Sequence, residues 1–166
     1  MNLQFNFTIN KENNTVNVKR EFAAPLPLVW DAWTKAEILD LWWAPKPYQT
    51  RTKSMDFREG GTWLYYMESP EGAIHWCKND YQKIENLKRY TGLDAFCDEN
   101  GTINSDFPRT SSTNSFMANE NTTIVTIEAQ YESLAELEQI ISLGFQEGFT
   151  MALSNLDDYF EQITKS

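Results

Sequence analysis

The chain has 166 residues, with 24 acidic against 14 basic side chains, one histidine and two cysteines, for a net charge of −10. At that length one domain spanning 1–166 is the default. A content of 41% hydrophobic and 23% charged residues excludes disorder as the main state. The acidic balance argues against a nucleic-acid partner, because phosphate binding needs a basic face.

No apolar run approaches the roughly 20 residues of a membrane helix, so no integral membrane association is expected. Met1 to Thr15 lacks a basic stretch followed by an apolar core, so it does not read as a signal peptide and a cytoplasmic location is expected. Without secretion the Asn-x-Thr matches at Asn6, Asn13 and Asn121 carry no weight. Cys77 and Cys97 have no companion ligands and read as two buried thiols.

The first strand is expected at Thr15–Phe22, where Val16 and Val18 alternate with polar neighbours. Pro25 and Pro27 stop it. Leu26, Val29, Trp30 and Trp33 recur at helical spacing, and Ala36 to Trp43 gives a second short helix ended by Pro45 and Pro47. From Tyr48 the period changes to two. Candidate strands are Tyr48–Phe57, Gly61–Glu68, Ala73–Ile84, Arg89–Cys97, Thr113–Ala118 and Thr122–Tyr131, with turns at Gly60-Gly61, Pro70-Glu71-Gly72 and Asn100-Gly101. Residues 99–112, rich in Gly, Asn, Ser and Pro, read as a long mobile loop.

Ser133 with Glu136 makes a capping box. From Leu134 through Leu137, Ile141, Phe145, Phe149, Ala152, Leu156 and Phe160 to Ile163 the apolar residues keep one stripe, which predicts one long amphipathic helix. Charge is uneven along the chain: residues 1–90 sum to +1 and residues 91–166 to −11. The second block reads as a solvated acidic face.

Strand, two short helices, a strand meander and one long helix make an α+β helix-grip arrangement. It is a curved antiparallel sheet of about six or seven strands around the last helix, with the two short helices after the first strand. The residues carry a resemblance as well. Arg20-Glu21-Phe22-Ala23-Ala24-Pro25, Val29-Trp30-Asp31-Ala32-Trp33-Thr34 and Leu41-Trp42-Trp43-Ala44-Pro45 resemble the opening of the AHSA-type family, named for a heat-shock-protein ATPase activator, in the START-like (SRPBCC) superfamily. Asp56 to Trp63, Tyr131-Glu132-Ser133 and Gly144 to Phe149 resemble its later signatures. The sequence departs from the family at Asn79, where a glycine is usual, and at Phe149, where a tryptophan is usual.

The resemblance implies a deep cavity between sheet and long helix that holds a small apolar or amphipathic ligand. By strand alternation Trp63, Tyr65 and Met67 share one face. His75, Cys77, Asn79 and Tyr81 share another, and Tyr90 shares parity with Phe96. The candidate ligand-binding residues are Trp33, Trp42, Trp63, Tyr65, His75, Tyr81, Tyr90, Phe96, Gly144, Phe145, Gly148 and Phe149. Gly144 and Gly148 read as helix-interior glycines, each costing about 1 kcal/mol, that open room or allow close packing.

Three functions are open: a small-molecule-binding protein, a cyclase- or hydrolase-like enzyme, and a chaperone-associated interaction protein. The enzyme reading has one weak catalytic candidate, the lone His75, with Tyr65 or Tyr81 beside it. No phosphate loop, dinucleotide fingerprint or metal set is present, so no cofactor and no metal are expected. The namesake's chaperone activity uses a further domain, which disfavours a chaperone contact here. Exposed edge strands allow a homodimer.

Overall fold

The computed structural model describes residues 3–164, and its sheet begins before the first expected strand. Phe5, Phe7 and Ile9 alternate with Asn6, Thr8 and Asn10 to form β1 (Phe5–Asn10), which turns through Asn14, at φ 57°, into β2 (Thr15–Phe22). Two helices follow, α1 (Leu26–Thr34) and α2 (Ala36–Trp42). The meander is β3 (Gln49–Met55), β4 (Thr62–Glu68), β5 (Ile74–Glu85), β6 (Arg89–Phe96), β7 (Thr110–Asn119) and β8 (Thr122–Gln130). The helices α3 (Leu134–Ser142) and α4 (Phe145–Thr164) close the chain.

The strands form one antiparallel sheet in the order β1-β2-β8-β7-β6-β5-β4-β3. Eight strands among the described residues replace the expected six or seven, and the short helices follow the second strand rather than the first. The additional strand is β1, whose alternation is in the sequence.

The continuous apolar stripe of the last segment is divided. Leu143 ends α3 and Gly144 turns the chain at φ 89°, with its amide donating to the Ile141 carbonyl at 3.0 Å. A side chain in that left-handed conformation costs roughly 1–2 kcal/mol, which is why glycine stands there. Gly144 is therefore a turn residue and not a helix-interior glycine. The long helix of the grip is α4, 20 residues. The expected cap is present, with Ser133 Oγ accepting from the Glu136 amide at 3.2 Å.

The core sits between the concave sheet face and the helices. Val16, Val18 and Phe22 of β2, Val125 and Ile127 of β8 and Phe116 of β7 pack against Trp30 and Trp33 of α1 and Leu153, Leu156 and Phe160 of α4. Arg20, 8% exposed, reaches from β2 to Asp157 on α4 and lies over the Phe22 ring at 4.9 Å. Buried Asn155 of α4 donates to the Ala44 carbonyl at 3.0 Å, which clamps the long helix onto the end of α2.

Residues 97–109 run as hydrogen-bonded turns. The Asp98 carboxylate accepts from the amides of Asn100 and Thr102, and Cys97 bridges to Ile103. Strand β7 starts at Thr110, three residues earlier than Thr113, because its first residues complete the ladder with Asp94, Leu93 and Gly92.

Candidate functional site

A cavity of about 290 Å³ lies between the sheet and α4. Strand register builds its floor. On one row of the concave face Trp63 pairs with Asn79, Asn79 with Asp94, and Asp94 with Thr110. The next row is Tyr81, Gly92, Ser112 and Ala129. Asn114, paired with Tyr90, stands on the row beyond. The floor thus carries a polar stripe of Asn79, Asp94, Thr110, Ser112 and Asn114 between aromatic flanks.

The walls are aromatic. Trp63 stacks on Tyr65 at 3.9 Å between ring centres, Trp43 meets Trp63 edge-on at 5.5 Å, and Phe145 stacks on Phe149 at 5.4 Å. Phe149 also meets Trp33 and Trp43 at 6.5 and 6.2 Å, so helix and sheet walls join through α1 and the end of α2. Trp43 Nε1 donates to Tyr65 Oη at 3.0 Å. The partly exposed lining residues Trp43, Pro45, Met67, Phe96, Phe145 and Phe149 mark the mouth.

Gly92 explains how Asn79 fits the floor. A Cβ on Gly92 would stand 2.0 Å from Asn79 Oδ1, so the amide lies in space that only glycine leaves. Asn79 Oδ1 and Trp33 Nε1 are both buried and have no hydrogen-bond partner among the described residues. An unpaired buried polar atom costs about 1–3 kcal/mol, so each of the two lowers the stability of the fold.

Asp94 dominates the electrostatics. Burial pushes its carboxyl up from 3.8 to about 7, against the pull of the Ser112 hydroxyl and the more distant Arg109. Its accessible surface faces the cavity. The Asp94 charge in turn helps raise Tyr65, Tyr81, Tyr90, Tyr131 and Cys77, with burial the larger cause in each. The Cys77 thiol stands at about 12 and stays protonated at neutral pH.

Of the expected site residues, Trp33, Trp63, Tyr65, Tyr81, Tyr90, Phe96, Phe145, Gly148 and Phe149 line the cavity. Three do not. Trp42 is 1% exposed and donates its indole N–H to the Ala32 carbonyl at 2.9 Å, joining α2 to α1 in the core. Gly144 is in the turn before α4. His75 keeps the parity of Cys77 and Asn79 but sits at the exposed start of β5, stacked on Tyr48 at 6.2 Å and beyond the cavity wall. Cys97 is half-buried, not buried, and faces away from Cys77; both thiols are free.

Sequence reasoning missed Asp94, Ser112 and Asn114. Asp94 was within reach, since it lies on the Tyr90–Phe96 parity already read as inward. Among the described residues no group of histidine, cysteine and carboxylate side chains could hold a metal. No helix among them is long and apolar enough to cross a membrane.

Comparisons agree with this geometry. Protein Ms6760 from Mycobacterium smegmatis superposes with a TM-score of 0.86 at 24% identity, over 95% of this chain and 96% of that one. A protein from Arthrobacter aurescens gives a TM-score of 0.87 at 26% identity, over 92% and 88%. One from Staphylococcus epidermidis gives 0.81 at 25%, over 93% and 94%. No curated protein matches the sequence. The profile of the family described as "Activator of Hsp90 ATPase homolog 1-like protein" matches residues 23–161, from just before α1 into the last turns of α4, and the chain belongs to that family.

Proposed function

We propose that this protein binds a small apolar or aromatic molecule in the cavity between sheet and long helix, as a carrier or sequestering protein. The observation that carries the reading is the cavity itself, about 290 Å³, with aromatic walls and a short polar stripe on its floor. Ligand pockets commonly combine these two features, and this volume, at the small end of their range, fits a molecule of one or two rings.

The enzyme alternative loses its best candidate, because His75 is outside the cavity. The two tyrosines named beside it, Tyr65 and Tyr81, are held protonated by burial and are poor proton acceptors at neutral pH. Native mass spectrometry of the freshly purified protein tests the binding reading, followed by denaturation and identification of what is released. A stoichiometric small molecule is expected. A bare protein that no member of an apolar and aromatic panel stabilises overturns it.

A further inference from the structure

Asp94 is the one carboxylate in the cavity lining, and no ion pair to it is formed, among the described residues. The two nearest candidates are committed elsewhere. Arg109 pairs with Asp80 and donates to the Leu93 carbonyl. Lys78 Nζ is 3.2 Å from the same Asp80. Lys78 is itself a lining residue of the cavity, but it is one residue out of phase with Cys77 and Asn79 and its ammonium turns to Asp80. No described donor makes a full hydrogen bond to the Asp94 carboxyl, which the Ser112 hydroxyl influences from nearby, although a carboxylate offers about four acceptor positions. Ser112 also reaches the Gly92 carbonyl, at 3.4 Å.

A carboxylate in this position is costly to the fold unless something pairs with it. Its surroundings have the complementary chemistry for a cation. Tyr65 from β4, Cys77 and Tyr81 from β5, Tyr90 from β6 and Tyr131 after β8 all feel its charge, and none of them is ionised at neutral pH. Arg109 and Asp80 are the charged groups that act on it, and they oppose each other. Rings with negative π-faces attract organic cations, most strongly when water is excluded.

The register sets the spacing. Asp94 and Trp63 are two strands apart on one row, roughly 10 Å at about 4.8 Å per strand. We propose that the cavity takes a ring-bearing organic cation, a ligand whose alkylammonium or amidinium group pairs with Asp94 while its ring lies against Trp43, Trp63 and Phe149. This rests on the reading of the cavity as a ligand site.

The probes are benzyltrimethylammonium, whose charge is independent of pH, its uncharged carbon isostere neopentylbenzene, and the anion phenylacetate. Each is titrated into the full chain by NMR at pH 5.5 and 8.5, with wild type and Asp94→Asn. The cation is expected to bind wild type at least tenfold more tightly at pH 8.5 than at pH 5.5, because Asp94 ionises between them, and phenylacetate is expected to be weakest. Asp94→Asn at pH 8.5 should behave toward the cation like wild type at pH 5.5, while neopentylbenzene binds both forms equally and so reports a folded, open cavity.

The proposal is overturned if the isostere or the anion binds wild type as tightly as the cation at pH 8.5, or if Asp94→Asn leaves cation affinity unchanged. Binding of the isostere without cation preference removes the cation class and leaves the cavity reading standing. Failure of all three probes, together with a bare protein in native mass spectrometry, removes both.

Discussion

The carboxyl of Asp94 and the two glycines at the start of α4 show opposite relations between a residue and its fold. Asp94 is held protonated toward neutrality, so between about pH 4 and pH 7 the folded chain binds a proton that the unfolded chain has released. Stability contributed by that group therefore falls as pH rises through this window, and the loss is complete above it. Asp94→Asn removes the penalty. It should match wild type near pH 4 and exceed it at pH 8, by up to about 4 kcal/mol in urea unfolding. A crossover in the other direction would mean that Asp94 has a counter-ion within the protein. Gly144 and Gly148 part company in the same experiment. Gly144→Ala, at φ 89°, should lose about 1–2 kcal/mol. Gly148→Ala places a Cβ at an ordinary 3.6 Å from Pro45 Cγ and should gain about 0.5–1 kcal/mol from helix propensity.

At the scale of elements, local chemistry decided most boundaries and tertiary packing decided the rest. Helix α3 starts at Ser133 because the hydroxyl takes the Glu136 amide, and Ser133→Ala should cost about 1 kcal/mol by thermal unfolding. That start was legible from two side chains at the right spacing, as were α1, α2 and the alternation of β4 and β5. The break at Gly144 was not, because an apolar stripe of period 3.6 continues across a single turn residue with little loss of phase. Strand β7 was read short for a related reason. Thr110, Ser111 and Ser112 carry no apolar alternation, and they are strand because β6 and β8 offer ladder positions beside them. The same polar run supplies the cavity floor, so the segment hardest to recognise as strand is also the one most relevant to the site. His75 lies outside the cavity for lack of depth rather than of parity: alternation gives the face of a strand, and position along the strand gives the distance from its covered middle.

For the whole molecule, helix and sheet are joined by few polar ties, and Arg20 with Asp157 is the most enclosed of them. Removing the partly exposed Asp157 leaves a buried guanidinium without its partner. Asp157→Ala should cost about 2 kcal/mol or more in chemical denaturation, whereas Lys46, exposed and 4.0 Å from Asp158, should be replaceable at no measurable cost. The family and the helix-grip architecture were legible because they follow from element order and a few contiguous signatures. Whether the space between helix and sheet is open or filled was not, since it depends on how Trp33, Trp43, Trp63 and Phe149 turn toward one another. That arrangement has an optical consequence. Trp33 and Trp42 lie 4.9 Å apart, Trp42 and Trp43 5.3 Å, and Trp43 and Trp63 5.5 Å, so four indoles run unbroken from the core to the cavity wall. At such separations their excited states couple and excitation migrates among them. The far-ultraviolet circular dichroism of the protein should carry an exciton couplet from the strong indole band, and a quencher seated against Trp43 alone should darken the whole run.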